Sequence, residues 1–294
     1  MIRHILFSTV VFILFFSCSN DSSEKEIISE ISTAKEIAEE DGGTNQIDKH
    51  QFSITGMLES IPPPVELSAL LKSTGAAFQK EILHNPNQVD QYNSNFKKAL
   101  NLGIYGADLG YINIYGKTFA TFDHLTAVYE LSSALKINQY FDFETIKRLA
   151  TNKRNLDSII YITTIGFEKM NTQLRIKNQE QISFLILFGG WLESLHLAID
   201  VASNSNDKAT INRIRTMLYD ESIILEDIIE LIKQFEYDED YKKLLVELQT
   251  LQKVYANMTV EEIEDNGEWL IIMNNNDFDQ LKTSVAKLRK VIIA

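Results

Sequence analysis

Glu193, His196 and Asp200 are spaced i, i+3, i+7 within Ile182 to Ala202, the most apolar stretch of the chain beyond its first eighteen residues. On a helix that spacing puts all three side chains on one face. Imidazole and carboxylates bind metals and move protons near neutral pH, so the stripe is a candidate metal or acid–base site. Gly189 lies on the same face one turn earlier, where a missing side chain lets a backbone or a ligand approach. The competing reading is a polar stripe inside a helical bundle, with Glu193 and Asp200 accepting hydrogen bonds from His196 or from neighbouring helices. Di-iron bundles need a Glu-x-x-His from each of two helices and a Glu from each of two more, and Glu193-Ser194-Leu195-His196 is read as the only such motif, which favours the structural reading.

A second candidate is the segment Asn101 to Lys117. Gly103, Gly106 and Gly110 fall on one helical face and Asp108, Tyr111 and Tyr115 on another. Each mid-helix glycine costs about 1 kcal/mol relative to alanine, so three of them ask for a compensating close contact. One reading is tight helix–helix packing along a glycine groove. The other is a pocket in which Asp108, Tyr111 and Tyr115 hold a polar ligand. The glycines do not follow G-x-G-x-x-G and no strand precedes them, so the segment is not a phosphate-binding fingerprint.

Other catalytic signatures are missing: there is no G-x-S-x-G, no H-E-x-x-H and no Walker lysine loop. Asp123 and His124 are adjacent, so on a helix their side chains point about 100° apart. His50, His84 and His124 fall in a tether, a loop and a different helix from His196. No cofactor is implied.

The elements that must position these residues read as helices. Pro62-Pro63-Pro64 predicts a helix start near Pro64, and Leu67, Leu70, Leu71, Phe78 and Ile82 continue one apolar face until His84-Asn85-Pro86-Asn87 stops it. A longer helical region runs from about Asp90 to Lys136. Asp142 caps a short helix reaching Thr151, and another region spans about Asn155 to Ser203 with a break near Lys177-Asn178. Asp207 caps a helix carrying Ile211, Ile214, Leu218, Leu225, Ile228 and Ile232. Leu244, Leu245, Leu248, Leu251 and Tyr255 mark another helix, and Phe278, Leu281, Val285, Leu288 and Ile292 one more. Between those two, residues 260–272 break the helical period around Asn266-Gly267, which predicts a two-stranded hairpin. The fold class is all-α, a multi-helix bundle with one small β-hairpin.

The first eighteen residues say where such a bundle would sit. Arg3 and His4 precede twelve uncharged residues, Ile5 to Phe16, and Ser17 then stands before Cys18, the one cysteine of the chain. This is the layout of a secretory signal peptide, and the run is too short to span about 30 Å of hydrocarbon as a helix. Phe15-Phe16-Ser17-Cys18 resembles a bacterial lipobox, with Phe15 where that motif usually carries Leu. The resemblance implies that Cys18 is acylated, with palmitate or a related chain, and becomes the mature N-terminus. The domain reading is a signal peptide at 1–17, an acidic tether at 18–58 and a helical domain at 59–294. The tether's residues 19–50 hold nine acids and three lysines. The full chain carries a net charge of −13, and loss of Arg3 with the signal peptide makes it −14. So acidic a surface repels phosphate backbones and argues against nucleic-acid partners. It also makes lipid, rather than a basic patch, the membrane link.

Asp21, Glu24 and Glu26, soon after Cys18, resemble the acidic residues that many surface lipoproteins of the Bacteroidota carry there. The Pro62–Pro64 start, Leu67-Ser68-Ala69-Leu70-Leu71-Lys72 and the run from Ala99 to Leu109 resemble a group of Bacteroidota lipoproteins of unknown function, over roughly Ile61 to the C-terminus. The resemblance implies an outer-membrane lipoprotein on the periplasmic or cell-surface face, and it transfers no functional residues. The expectation is a lipid-anchored helical binding or scaffold lipoprotein, with a protein partner or small ligand of unknown identity. The alternative is a metal-dependent or hydrolytic enzyme using Glu193, His196 and Asp200.

Overall fold

The computed structural model describes residues 61, 64–150, 156–235, 238–265 and 267–294. Cys18, the signal peptide, the tether and the acidic residues Asp21, Glu24 and Glu26 lie outside the described residues. Among the described residues the chain forms nine α-helices and one antiparallel hairpin, an all-α bundle with a small β excursion. In chain order the helices are α1 (Pro64–Ser73), α2 (Asn95–Ile114), α3 (Thr118–Ala134), α4 (Phe143–Ala150), α5 (Leu156–Ile176), α6 (Glu180–Asn204), α7 (Lys208–Lys233), α8 (Glu239–Ala256) and α9 (Asn275–Ile293). Strands β1 (Val260–Asp265) and β2 (Glu268–Met273) stand between α8 and α9.

Polar caps start several of these helices. Asp142 accepts from the Thr145 amide at 2.9 Å and Asp207 from the Thr210 amide at 2.8 Å, as their positions predicted. Ser94 does the same for α2 through the Lys97 amide. The two long helical regions each break at a residue with positive φ. Gly116 (φ +63°) separates α2 from α3, and Asn178 (φ +53°) separates α5 from α6 at the predicted place. In the hairpin Val260 pairs with Met273 and Ile263 with Leu270. Leu270, Ile271 and Met273 are buried, and the Ile271 amide donates to Thr216 of α7 at 2.8 Å.

One element ends sooner than its apolar spacing suggested. The helix read through Phe78 and Ile82 stops at Ser73, where the Thr74 hydroxyl bonds the Leu71 carbonyl and Gly75 takes φ +87°. Leu70, assigned to the buried face, is 52% exposed. Residues 76–85 instead run as a non-helical strap, followed by a 3-10 turn at Pro86–Gln91.

Helix α6 occupies the centre. It is long and apolar enough to cross a bilayer by length and composition, yet its apolar window is packed inside the bundle, as an eleven-residue uncharged run suggested. Its closest neighbour is α2, and glycine permits the approach. A Cβ built on Gly103 would lie 2.0 Å from the Ile186 carbonyl oxygen, and one on Gly189 would lie 2.0 Å from the Leu100 carbonyl oxygen. Gly106 has nothing within 4 Å of such a Cβ, so of these two α2 glycines it is Gly103 that is set against Gly189 of α6.

Candidate functional site

The strap lacks regular secondary structure over residues 76–85, so its backbone groups need partners from elsewhere. Side chains on the neighbouring helices supply many of them. Tyr115 donates to the Ala76 carbonyl at 2.9 Å, and the Gln79 amide donates to the Tyr111 hydroxyl at 3.0 Å. From α6, Asn204 donates to the Gln79 side chain at 2.7 Å. The His84 amide donates to Asp108 Oδ2 at 2.9 Å, and Tyr105 donates to the Asn85 carbonyl at 2.9 Å. Asp108, Tyr111 and Tyr115 therefore do act along one line of α2. What they engage in the structure is the chain's own strap, with Phe78 stacked on Tyr111 at 5.1 Å.

Beneath the strap lies a buried polar cluster. Asp108 is fully buried, and its Oδ2 lies 3.6 Å from His124 Nε2, an ion-pair rather than a hydrogen-bond distance. His124 Nε2 is also 3.2 Å from the His84 carbonyl, and its Nδ1 is 3.1 Å from the Ala120 carbonyl. The His84 ring contacts the Tyr92 hydroxyl at 2.7 Å. Asp108 Oδ1 has no hydrogen-bond partner among the described residues. Burial, with the nearby Glu193 charge adding to it, pushes the Asp108 carboxyl up to about 7. Burial alone would lower His124, but Asp108 reverses this and raises it. Burial and then the Arg289 charge lower His84 to about 4, so its ring is neutral at pH 7.

The α6 stripe is engaged within the bundle. Both Glu193 oxygens accept from Arg289 of α9, at 2.5 Å from Nε and 2.7 Å from Nη2, and the carboxylate is wholly buried. His196 Nε2 lies 3.6 Å from Asp200 Oδ2, and burial lowers the His196 pKa against the raising effect of Glu193. Glu193, His196 and Asp200 do share a face, but Glu193 turns to α9 while His196 turns to Asp200. Among the described residues, no group of three or more His, Cys, Asp or Glu side chains is placed to hold a metal ion. The α6 motif is not the only Glu-x-x-His, because Glu81-Ile82-Leu83-His84 is a second. It lies in the strap, with Glu81 exposed and His84 buried, so it does not complete a two-helix motif.

No family model, curated protein or solved structure matches the chain. Its chemistry therefore rests on the geometry. Sequence reasoning treated His84 and His124 as scattered, and the fold brings both to Asp108. The available signal was Asp108 itself, a carboxylate surrounded by Leu, Ile, Tyr and Ala at core spacing, which had to find buried partners. Arg289 was missed because its link to Glu193 spans 96 residues of chain.

These shifts predict how stability responds to pH. Glu221, buried and bonded by the Trp191 indole at 2.7 Å, is also pushed up to about 7 by burial. Asp108, Glu221 and His124 have raised pKa values, so the folded state holds their protons more tightly than the unfolded chain does. Their contribution falls as pH rises towards and through the folded values. His84 and His196, with lowered values, act in the opposite sense, for His84 between about 4 and 6.5. Above pH 6.5 only the falling contributions remain. Urea unfolding should show lower stability at pH 8 than at pH 6.5, and a rise over that interval would contradict these environments.

Proposed function

We propose that the chain is a lipid-anchored helical scaffold or binding lipoprotein of a bacterial outer membrane, with the α6 stripe serving as architecture. The observation that carries the architectural reading is the Arg289–Glu193 pair. A carboxylate that would act as acid, base or metal ligand is wholly buried and held at both oxygens by a guanidinium. The anchoring part rests on the apolar run that ends at Cys18.

Binding through an outer face accords better with the geometry than capture of a small ligand at Asp108, Tyr111 and Tyr115, since those groups hold the strap. Helix α3 leaves Phe119, Phe122 and Tyr129 exposed on one side at i, i+3 and i+10, an aromatic stripe that a protein partner could cover.

Stable membrane attachment needs two hydrophobic signals, which a multiply acylated cysteine supplies. Cys18→Ala should move the protein from the membrane to the soluble fraction or stall it with its signal peptide attached. A Cys18→Ala protein that is processed and stays with the membrane would rule out the lipid anchor. The face can be read separately: protease added to intact cells clips a surface-displayed chain and spares a periplasmic one.

A further inference from the structure

The His124 ring sits among acceptors. Its Nδ1 faces the Ala120 carbonyl at 3.1 Å, and its Nε2 faces the His84 carbonyl at 3.2 Å with Asp108 Oδ2 at 3.6 Å. A neutral imidazole has one N–H, so it would turn a lone pair towards a carbonyl oxygen at one of these sites. Only the imidazolium satisfies both, and Asp108, once ionised, is its counter-charge. The two side chains together grip one strap residue at both backbone groups: Asp108 accepts from the His84 amide and His124 donates to the His84 carbonyl.

We propose that the Asp108–His124 pair is a proton-operated latch, which holds the strap against the bundle and releases it when His124 loses its proton. Release would follow from charge and from hydrogen-bond count. Without the imidazolium, Asp108 becomes a buried carboxylate whose oxygens have the His84 amide alone, since Oδ1 has no partner among the described residues. The next strap contact to loosen is the one to α6, where Gln79 takes a hydrogen bond from Asn204 at 2.7 Å.

Other charged groups around the pair set the direction. Glu193 of α6 adds negative charge and favours keeping the proton, while Arg289 of α9 opposes it. His84 on the strap is neutral near pH 7, and the Tyr105 ring packs edge-on against His124 with centroids 6.2 Å apart. His196 of α6 acts on His84. The latch thus closes in neutral to mildly acid conditions and opens in alkaline ones.

Hydrogen exchange on the full chain, followed by mass spectrometry at about pH 6 and about pH 8.5 and normalised to intrinsic exchange rates, tests this. Protection of strap amides should fall roughly ten-fold more than that of α8 amides between the two conditions. His124→Gln should show a poorly protected strap at both values and no extra pH response. Asp108→Asn, which keeps an acceptor for the His84 amide, should move the opening to lower pH. A wild-type strap whose protection changes only in step with α8 would overturn the latch, as would a pH response that survives in His124→Gln.

Discussion

Replacing Arg289 with methionine is expected to destabilise the protein by about 3–5 kcal/mol, among the largest effects of any single side chain here. The substitution keeps much of the volume of the stem and removes the guanidinium that bonds both oxygens of Glu193. Glu193 is completely buried, so its carboxylate would remain in the core without its counter-charge. It would have to take up a proton or drag water into the seam between α6 and α9. Glu193→Gln should cost less, because the amide can still accept one hydrogen bond. The double variant Glu193→Met with Arg289→Met should recover most of the loss, since replacing a buried pair by apolar groups is often close to neutral. Urea unfolding of the three variants checks the pattern. Equal losses in the Arg289 single and the double variant would mean that the pair does not act as a unit.

The glycines of α2 and α6 should divide sharply. Gly103→Ala and Gly189→Ala each place a methyl 2.0 Å from a carbonyl oxygen of the facing helix, a contact that backbone cannot relieve by a rotamer change. Overpacking of a core usually costs about 1–3 kcal/mol, and these two belong at or beyond the upper end because helix α2 or α6 must shift as a whole. Gly106→Ala sits three residues from Gly103 on the same helix and meets open space. It should stabilise the protein by up to about 1 kcal/mol through helix propensity. Thermal melts of the three variants settle it, and a stabilising Gly103→Ala would contradict the close α2–α6 packing.

The contrast between Gly103 and Gly106 shows where sequence reading stops. That glycines on α2 needed a close contact was legible from their cost in a helix, but which glycine met the neighbour depends on the rotation of α6. The helices marked by regular apolar spacing, such as α7, α8 and α9, could be read because one face alone is buried in each: Ile214, Leu218, Leu225, Ile228 and Ile232 line the buried side of α7. Local signals also carried the caps at Asp142 and Asp207 and the Asn178 break. The strap was misread because Phe78 and Ile82 keep helical spacing by coincidence, while its backbone is paired by side chains from α2 and α3. No local pattern encodes bonds such as Tyr115 to Ala76 or His124 to His84, which span about forty residues. The stripe of Glu193, His196 and Asp200 was legible as a stripe, and its occupation by Arg289 was not.

The role proposed for this stripe is architecture. His196→Ala removes the partly buried ring that lies 3.6 Å from Asp200, so stability should fall by about 1–3 kcal/mol as that packing and polar contact are lost. The decisive measurement is elemental analysis of the purified wild-type protein and of His196→Ala, with unfolding free energies recorded on the same samples. The account predicts no stoichiometric transition metal in either protein, together with that loss of stability in the variant. A stoichiometric metal in the wild type that disappears in His196→Ala, with stability almost unchanged, would contradict it and make Glu193, His196 and Asp200 a working centre.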